Sequence, residues 1–325
     1  MDSRFVALAE IDLDDTTFEI KRFTGSPRLQ ESLDRFGILD PPWLRKNGRE
    51  HIVVDGFKRL RRAKENGAQG AVCRVFPEDC DAREMWMRRI EKKIFEREIN
   101  PAEKAQIVST LLGLFQPGEI PAFLLSGINV SNRHEVLLSW ASLSTRGPGV
   151  LEMLASGDIA ERAALEVAGW DKPSMDSVLP VLRTLRCSAS IQVEIVERIN
   201  EIGFREAKSG ADIIEHSHVR EILTSRGLNR RQKTQAIRDY LFELRHPRLN
   251  SRQKLFERRL EALGLPPGLK IAPPPAFEGS NWRMELSFTG IEDLRKIVDA
   301  TRSIVESDRL DAVLEPGPRR DKGQW

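Results

Sequence analysis

Short apolar runs and helically spaced apolar residues alternate along the first part of the chain. Trp43-Leu44-Arg45 and Ile52-Val53-Val54 flank the polar turn Lys46-Asn47-Gly48-Arg49, and an Asn-Gly turn between two such runs is typical of a β-hairpin. A third strand is predicted at 71–76. Helical spacing predicts helices at 29–36, 57–66 and 82–97. Residues 1–98 are therefore expected to form a small α/β domain.

Beyond residue 98 the pattern changes to helices and then returns to a strand. Apolar residues from 99 to 263 recur with a period of about 3.6, interrupted by Gly, Pro and Ser. After a proline-rich break, the alternation of Trp282, Met284, Leu286 and Phe288 predicts a half-buried strand. A helix follows, with an apolar stripe that consists of Ile291, Leu294, Val298 and Val305. Such a strand-helix unit cannot bury its faces alone, so we expect it to pack on the rest of the protein or on a second copy.

These patterns predict an α+β protein with an all-helical middle. We expect an α/β domain at 1–98, a helical domain at 99–200, a basic helical extension at 201–263, a small α/β module at 264–312 and a disordered tail at 313–325. The length of 325 residues fits two or three domains, and a composition of 40 % hydrophobic and 31 % charged residues is typical of a soluble globular protein. With no membrane-length apolar stretch and no signal-peptide pattern, we expect a cytoplasmic protein without a membrane partner.

With a net charge of only +2, the overall charge indicates no binding partner, so the candidate sites are sought where charge is concentrated locally. One candidate is the turn at Gly56, between a strand and the start of a helix that carries Lys58, Arg59 and Arg61. A glycine at a helix N-terminus lets a phosphate approach free backbone N–H groups, and the cations add complementary charge. The alternative is that Gly56 only makes the turn and the basic residues are solvated.

Several motifs resemble one known family. Gly37-Ile38-Leu39-Asp40-Pro41-Pro42, the segment from Val54-Asp55-Gly56-Phe57-Lys58-Arg59 to Gly67, and Ile99-Asn100-Pro101-Ala102-Glu103-Lys104-Ala105 occur in this order. Together they are similar to ParB-type partition proteins of the ParB/sulfiredoxin superfamily, over residues 5–190. The resemblance implies a ParB/sulfiredoxin-like domain followed by a helix-turn-helix domain. It also implies double-stranded DNA as a partner, a homodimer, a partner ATPase and a nucleoid-associated protein.

The chain departs from this family where a nucleotide would bind. Members that bind and hydrolyse CTP carry Gly-Glu-Arg-Arg in the turn, whereas Phe57 stands at the glutamate position and cannot ligate Mg²⁺. The second nucleotide motif, Glu-Asn-x-x-Arg, falls on Lys92, Lys93 and Glu96, and the usual glutamine before the first proline is Asp40. Gly56 and the three cations after it still suit a phosphate. We therefore expect that CTP could bind through its phosphates, but neither Mg²⁺ nor hydrolysis.

The cysteines support neither a metal site nor a redox function. Cys73, Cys80 and Cys187 match no zinc-binding spacing. The sulfiredoxin branch of the superfamily needs a reactive cysteine in the Gly56 turn, and Cys73 lies in the next strand. No catalytic residues and no metal ligands are predicted, and peroxiredoxin repair is excluded.

A helix-turn-helix is predicted in the helical domain. Residues 120–126 form a short helix, Gly127 makes the break, and a second helix capped by Ser131 or Asn132 follows. In this arrangement Ser131, Asn132, Arg133 and His134 would face base edges in the major groove. The alternative is an ordinary helical hairpin with no role in DNA binding.

A basic segment follows the helical domain. Residues 226–259 hold eleven basic and three acidic residues, which favours contacts with DNA phosphates. The predicted contacts are made by Arg226, Arg230, Arg231, Lys233, Arg252 and Lys254. The alternative is a pair of solvated helices.

Three functions remain open at this point. The favoured one is a ParB-like, sequence-specific DNA-binding protein of chromosome or plasmid partition or of transcription control, with an altered nucleotide pocket. A nucleotide-binding or nucleotide-hydrolysing enzyme of the CTPase or nuclease type is the second. A protein-protein adaptor with no DNA affinity is the third.

Overall fold

The computed structural model describes residues 2–25 and 27–314. The chain divides into two compact units, Met1–Thr234 and Gln235–Trp325. The mixed α/β composition expected from the sequence is confirmed, because strands lie within residues 2–76 and 269–286 and the segment between these two regions is helical.

The first unit begins with a five-stranded sheet in the order β1-β5-β3-β4-β2. The strands are β1 (Asp2–Ala7), β2 (Ile11–Asp12), β3 (Trp43–Asn47), β4 (Glu50–Asp55) and β5 (Gly70–Phe76). β3 and β4 form the predicted antiparallel hairpin, β3 runs parallel to β5, and β1 is antiparallel to β5. β2 runs parallel to β4. The sequence did not predict β1 and β2 as strands.

Three helices accompany this sheet, and the predicted breaks end or begin them. They are α1 (Pro27–Phe36), α2 (Phe57–Glu65) and α3 (Ala82–Glu96). Gly37, which follows α1, has a φ of +68°, and Gly67, after α2, has +75°, the left-handed conformation that glycine adopts at helix ends. Leu44 of β3, Val54 of β4, Leu60 of α2 and Ile90 of α3 are fully buried. The hydrophobic core of this domain therefore lies between the sheet and its helices.

Helices alone follow, as predicted. They are α4 (Pro101–Leu114), α5 (Ala122–Gly127), α6 (His134–Thr145), α7 (Pro148–Ser156), α8 (Glu161–Val167), α9 (Lys172–Leu185), α10 (Ala189–Glu206), α11 (Gly210–Ile214), α12 (Ser217–Thr224), α13 (Arg230–Arg245) and α14 (Pro247–Leu263). The Asn100 side chain accepts a hydrogen bond from the Glu103 N–H, and the Glu103 carboxylate accepts one from the Asn100 N–H. This capping box fixes the start of α4.

The second unit contains α14, a two-stranded antiparallel sheet of β6 (Leu269–Ala272) and β7 (Arg283–Leu286), α15 (Ile291–Val305) and α16 (Asp308–Leu314). Its core packs Phe256 and Leu263 of α14 against Ile271, Leu310 and Val313. The sequence missed β6. The last two residues of α16 extend into the segment predicted as a disordered tail, whose remainder lies outside the described residues.

Two predictions for the second unit are wrong. All four residues of β7 are exposed, including Met284 and Leu286, although the sequence indicated a half-buried strand. In α15, Ile291, Val298 and Val305 are exposed, and Ile297 is the residue that packs inward. The apolar alternation and the predicted stripe are present, but within the described unit only Trp282 and Leu294 of these residues are half-buried.

Candidate anion cleft and nucleic-acid interface

The Gly56 turn lies beside a cleft of about 800 Å³ in the first unit. β4 ends at Asp55 and α2 begins at Phe57, so the chain reverses at Gly56 with a φ of +96°. A Cβ at this position would lie 2.8 Å from the Cβ of Pro42. No side chain caps α2, which leaves its first N–H groups directed toward a ligand in the cleft.

Gly56→Ala is expected to lower the free energy of unfolding by about 1–3 kcal/mol, because alanine is strained at this φ and its methyl group contacts Pro42. Gly48→Ala is the matched control. Gly48 also has a positive φ, but no atom lies within 4 Å of a Cβ built there. Urea denaturation should therefore show the larger loss for Gly56→Ala. Equal losses for the two variants would contradict a steric role for Pro42.

Asp55 is the centre of an ion-pair network at the edge of the cleft. Its carboxylate accepts hydrogen bonds from Arg59 Nη2 at 2.9 Å, Arg89 Nη1 at 3.0 Å and Lys92 Nζ at 2.8 Å. Arg59 and Lys92 also pair with Asp40. Burial by itself would raise the pKa of Asp55, but the charges of Arg89, Lys92 and Arg59 outweigh it and hold that pKa far below its usual range. Asp55 is therefore held as an anion by three cations.

Glu103 forms a second network where the cleft meets α4. Its carboxylate is fully buried and lies 2.5 and 2.7 Å from the guanidinium of Arg97 and 3.1 Å from Lys93 Nζ. Burial opposes ionisation, but the Arg97 hydrogen bond and the Lys93 charge outweigh it and lower the pKa of Glu103. Two cations thus share one carboxylate.

Two amines of the cleft have lowered pKa values. Burial lowers the pKa of Lys58, and repulsion from Arg22 and Arg97 lowers it further, with partial compensation from Glu103. Burial, together with repulsion from Arg97 and Arg89, also lowers the pKa of Lys93. Burial is the largest cause for both amines, and the repulsion by neighbouring cations adds to it.

The four residues that the sequence singled out, Gly56, Lys58, Arg59 and Arg61, all line the cleft. Two of the guanidiniums are already paired, Arg59 with Asp40 and Asp55 and Arg61 with Glu19. Lys58 Nζ donates a hydrogen bond to the Thr24 carbonyl at 3.4 Å.

Sequence reasoning missed five cations that line the same cleft: Lys21, Arg22, Arg89, Lys93 and Arg97. For Lys93 a signal was present, since a lysine stands where the family motif has asparagine. Arg22 lies in an irregular segment, and no motif marks it.

The predicted DNA-reading segment is exposed. Ser131, Asn132, Arg133 and His134 are all exposed, and they lie immediately before and at the start of α6. The inner face of that helix is buried through Leu137, Trp140 and Leu143. The structure therefore brings the four predicted residues together on one accessible helix end.

Two local details of the helix-turn-helix differ from the prediction. α6 begins at His134, and its N-cap residue, Arg133, makes no side-chain cap hydrogen bond, so neither Ser131 nor Asn132 caps the helix. Ser131 Oγ instead accepts a hydrogen bond from the Arg133 N–H at 3.4 Å.

Gly127 ends α5, and a Cβ there would lie 2.8 Å from Ile94, whereas the positive φ of the turn falls on Asn129. Gly127 thus permits close packing of α5 on α3.

The basic residues of the predicted phosphate-binding segment belong to two units. Arg226, Arg230, Arg231 and Lys233 are in the first unit, and Arg252 and Lys254 are in the second. Arg226, Arg230 and Arg231 are exposed. Lys233 Nζ donates a hydrogen bond to the Leu223 carbonyl at 2.6 Å, near the end of α12. Arg252 lies over the Phe277 ring, 5.6 Å from its centroid. Lys233 and Arg252 therefore have structural contacts of their own.

No family model matches the chain, and no curated protein matches it. Among solved structures, the chain is similar to the C-terminally truncated chromosome-partitioning protein ParB from Caulobacter crescentus complexed to the centromeric parS site, at 16 % identity over 60 % of this chain and 100 % of that chain, with a TM-score of 0.35. It is also similar to the same truncated protein complexed with CTP-gamma-S, at 18 % identity over 56 % and 99 % of the two chains, with a TM-score of 0.23. Similarity at these TM-scores carries no conclusion about this chain, so the function must be argued from its own residues.

None of the helices in the described part of the chain is long and apolar enough to span a membrane.

Proposed function

We propose that this chain is a ParB-like, sequence-specific DNA-binding protein that acts on double-stranded DNA in partition or in transcription control. The observation that carries the proposal is the exposed segment from Ser131 to His134 at the uncapped start of α6. An open helix N-terminus attracts phosphate, and polar side chains beside it are placed to contact bases. The order of motifs that resembles ParB supports the same function. A homodimer, a partner ATPase and a nucleoid-associated, cytoplasmic location belong to this proposal.

The two kinds of basic residue have different roles in this proposal. Arg133 and Asn132 carry the side chains that pair with guanine and adenine edges in the major groove. Arg226, Arg230 and Arg231, which are exposed, contact phosphates and supply affinity that does not depend on sequence. In this proposal the base contacts determine the preference for one DNA sequence, and the phosphate contacts determine the salt-sensitive affinity for DNA of any sequence.

Selection of DNA in vitro by the purified full-length chain, with and without CTP and Mg²⁺, tests the proposal, and we expect one enriched motif. On that motif, Arg133→Ala should reduce the preference over unrelated DNA by about tenfold to a hundredfold, because one base contact is worth roughly 1–3 kcal/mol. The matched variant Arg231→Ala should weaken binding to all DNA and reduce the salt slope by about one.

Two results would contradict this assignment. Equal weakening of all DNA by Arg133→Ala would mean that α6 does not read bases. Enrichment of no motif under either condition, together with no DNA affinity at moderate salt, would leave the adaptor function.

A second candidate is an enzyme that hydrolyses a nucleotide in the cleft lined by Gly56, Lys58, Arg59 and Arg61. Its chemistry would need a carboxylate able to hold a metal or accept a proton, and Asp55 and Asp40 are held by Arg59 and Lys92. We therefore expect no phosphate release from CTP or ATP. Turnover that Arg59→Ala abolishes would establish the enzyme instead.

A further inference from the structure

The carboxylates around the cleft are not available to a metal ion. Four acidic residues line its described part. Glu19 pairs with Arg61, Asp40 and Asp55 pair with Arg59 and Lys92, and Glu96 pairs with Lys92 at 3.2 Å. Each of them already faces a cation at ion-pair distance. A divalent cation would have to displace an arginine or a lysine to gain a ligand.

The Mg²⁺ that the family resemblance implies does not fit these residues. Phe57, at the position where the family carries a carboxylate, is buried. Its ring lies 5.4 Å from the Arg61 guanidinium and 5.6 Å from that of Arg89. The environment of this ring is already cationic, and a divalent ion beside it would meet repulsion rather than ligands. In the described residues no group of three or more His, Cys, Asp and Glu side chains could hold a metal.

Cations outnumber anions in the cleft. Eight lysines and arginines line its described part against four acidic residues. Arg22 makes no ion pair with any described residue, and its Nε is buried without a hydrogen-bond partner. Lys93 and Arg97 share the buried carboxylate of Glu103, and Arg22 and Lys58 line the same cleft. A multivalent anion is the ligand that this surplus of cations suits.

Part of the lining of the cleft is apolar. Leu29 and Leu33 of α1 and Leu39, in the loop after it, line the wall, and Leu39 is 72 % exposed. A volume of about 800 Å³ accommodates an organic molecule as well as phosphates. The apolar wall gives such a molecule a surface to pack on, which inorganic phosphate would leave uncovered.

We propose that the cleft binds an organic polyphosphate of the nucleoside triphosphate class without a divalent cation, and that Arg22, Lys58, Lys93 and Arg97 supply the positive charge that a metal supplies elsewhere. This inference deepens the altered nucleotide pocket of the proposed function. It does not depend on DNA reading by α6, because the cleft and the start of α6 share no residue.

Isothermal titration calorimetry of the full-length protein with CTP, ATP, GTP, UTP and inorganic triphosphate, each in EDTA and in excess MgCl₂, tests the proposal. We expect at least one nucleoside triphosphate to bind in EDTA. Its affinity should be equal or lower in Mg²⁺, because the metal neutralises phosphate charge that the cleft would otherwise pair. Inorganic triphosphate should bind more weakly than that nucleotide.

Arg22→Ala and Lys58→Ala should each weaken nucleotide binding in EDTA by about tenfold, the effect of one charge-assisted hydrogen bond. Thermal melts of both variants, measured beside the titrations, separate a loss of binding from a loss of fold, since Lys58 also donates a hydrogen bond to the Thr24 carbonyl. Arg35→Ala is the control, since Arg35 is exposed on α1 and pairs with Glu31 at 3.6 Å. It should leave the affinity unchanged.

Three results would overturn the inference. Binding that Mg²⁺ tightens by about tenfold or more would make the metal part of the site. Inorganic triphosphate bound as tightly as the best nucleotide would remove the organic class from the proposal. No heat from any triphosphate in either buffer would remove the anion site, while the DNA selection described above would still decide the proposed function.

Discussion

Glu103→Gln is expected to lower the free energy of unfolding by about 3–5 kcal/mol at neutral pH, the usual result of removing one partner from a buried ion pair. The Glu103 side chain is 0 % exposed and faces Arg97 and Lys93. A neutral amide leaves both cations partly buried without a counter-charge. Glu31→Gln is the control, because it breaks an exposed pair with Arg35 and should cost less than about 1 kcal/mol.

The pH dependence of the free energy of unfolding tests the same ion pairs. The pKa of Glu103 is lowered in the folded protein, so its ion pairs stabilise the fold above the unfolded pKa of about 4.3, and this stabilisation is lost as the pH falls through the folded pKa. The difference between wild type and Glu103→Gln should therefore be full at pH 7 and shrink in acid. Urea denaturation at a series of pH values measures it. A difference that does not change with pH would show that Glu103 acts through packing alone.

The parts of the fold that the sequence predicted correctly are those with a local cause. The Asn47-Gly48 turn lies between two apolar runs, and the Gly56 turn lies between an apolar run and a basic helix; the structure has a hairpin and a strand-to-helix reversal there. β1 could not be found in this way, because its partner is distant in sequence, Phe5 being opposite Val72. Val6 is the only residue of β1 that is buried, so its pattern lacks an apolar alternation.

In the candidate site, too, the residues with a local motif were predicted and those without one were not. Gly56 and Lys58 follow from one motif, whereas the pairing of Lys93 and Arg97 with Glu103 and the approach of Arg22 to Lys58 are seen only in the folded chain. The sequence does contain the Asn100 and Glu103 spacing of a capping box, which the structure has. That spacing gives no sign that the same carboxylate is buried and holds two cations. The charge of the cleft is therefore a property of the packed structure rather than of any motif.

The second unit exposes apolar residues that we expect to determine the oligomeric state. β7 pairs with β6 alone in a two-stranded sheet, and such a sheet is marginal in water by itself. Leu286, Phe288, Ile291, Val298 and Val305 are all exposed on β7, on α15 and between them. Exposed apolar residues in this number mark an interaction surface. We propose that the partner at this surface is a second copy of the same unit, as the homodimer of the proposed function requires.

We expect the wild-type protein to be a dimer and the double variant Leu286→Asp/Val298→Asp to be a monomer at micromolar concentration, because a buried carboxylate without a partner costs more than the apolar contact it replaces. Size-exclusion chromatography with light scattering measures the masses. Phe204→Asp is the control, since Phe204 is 95 % exposed in the first unit and should leave the dimer intact.

The monomer should still unfold cooperatively and bind a single half-site, but lose affinity for a paired site by about a hundredfold, since the two half-sites would no longer be bound by linked copies. A wild-type monomer, or a double variant that remains dimeric, would remove this surface as the site of self-association.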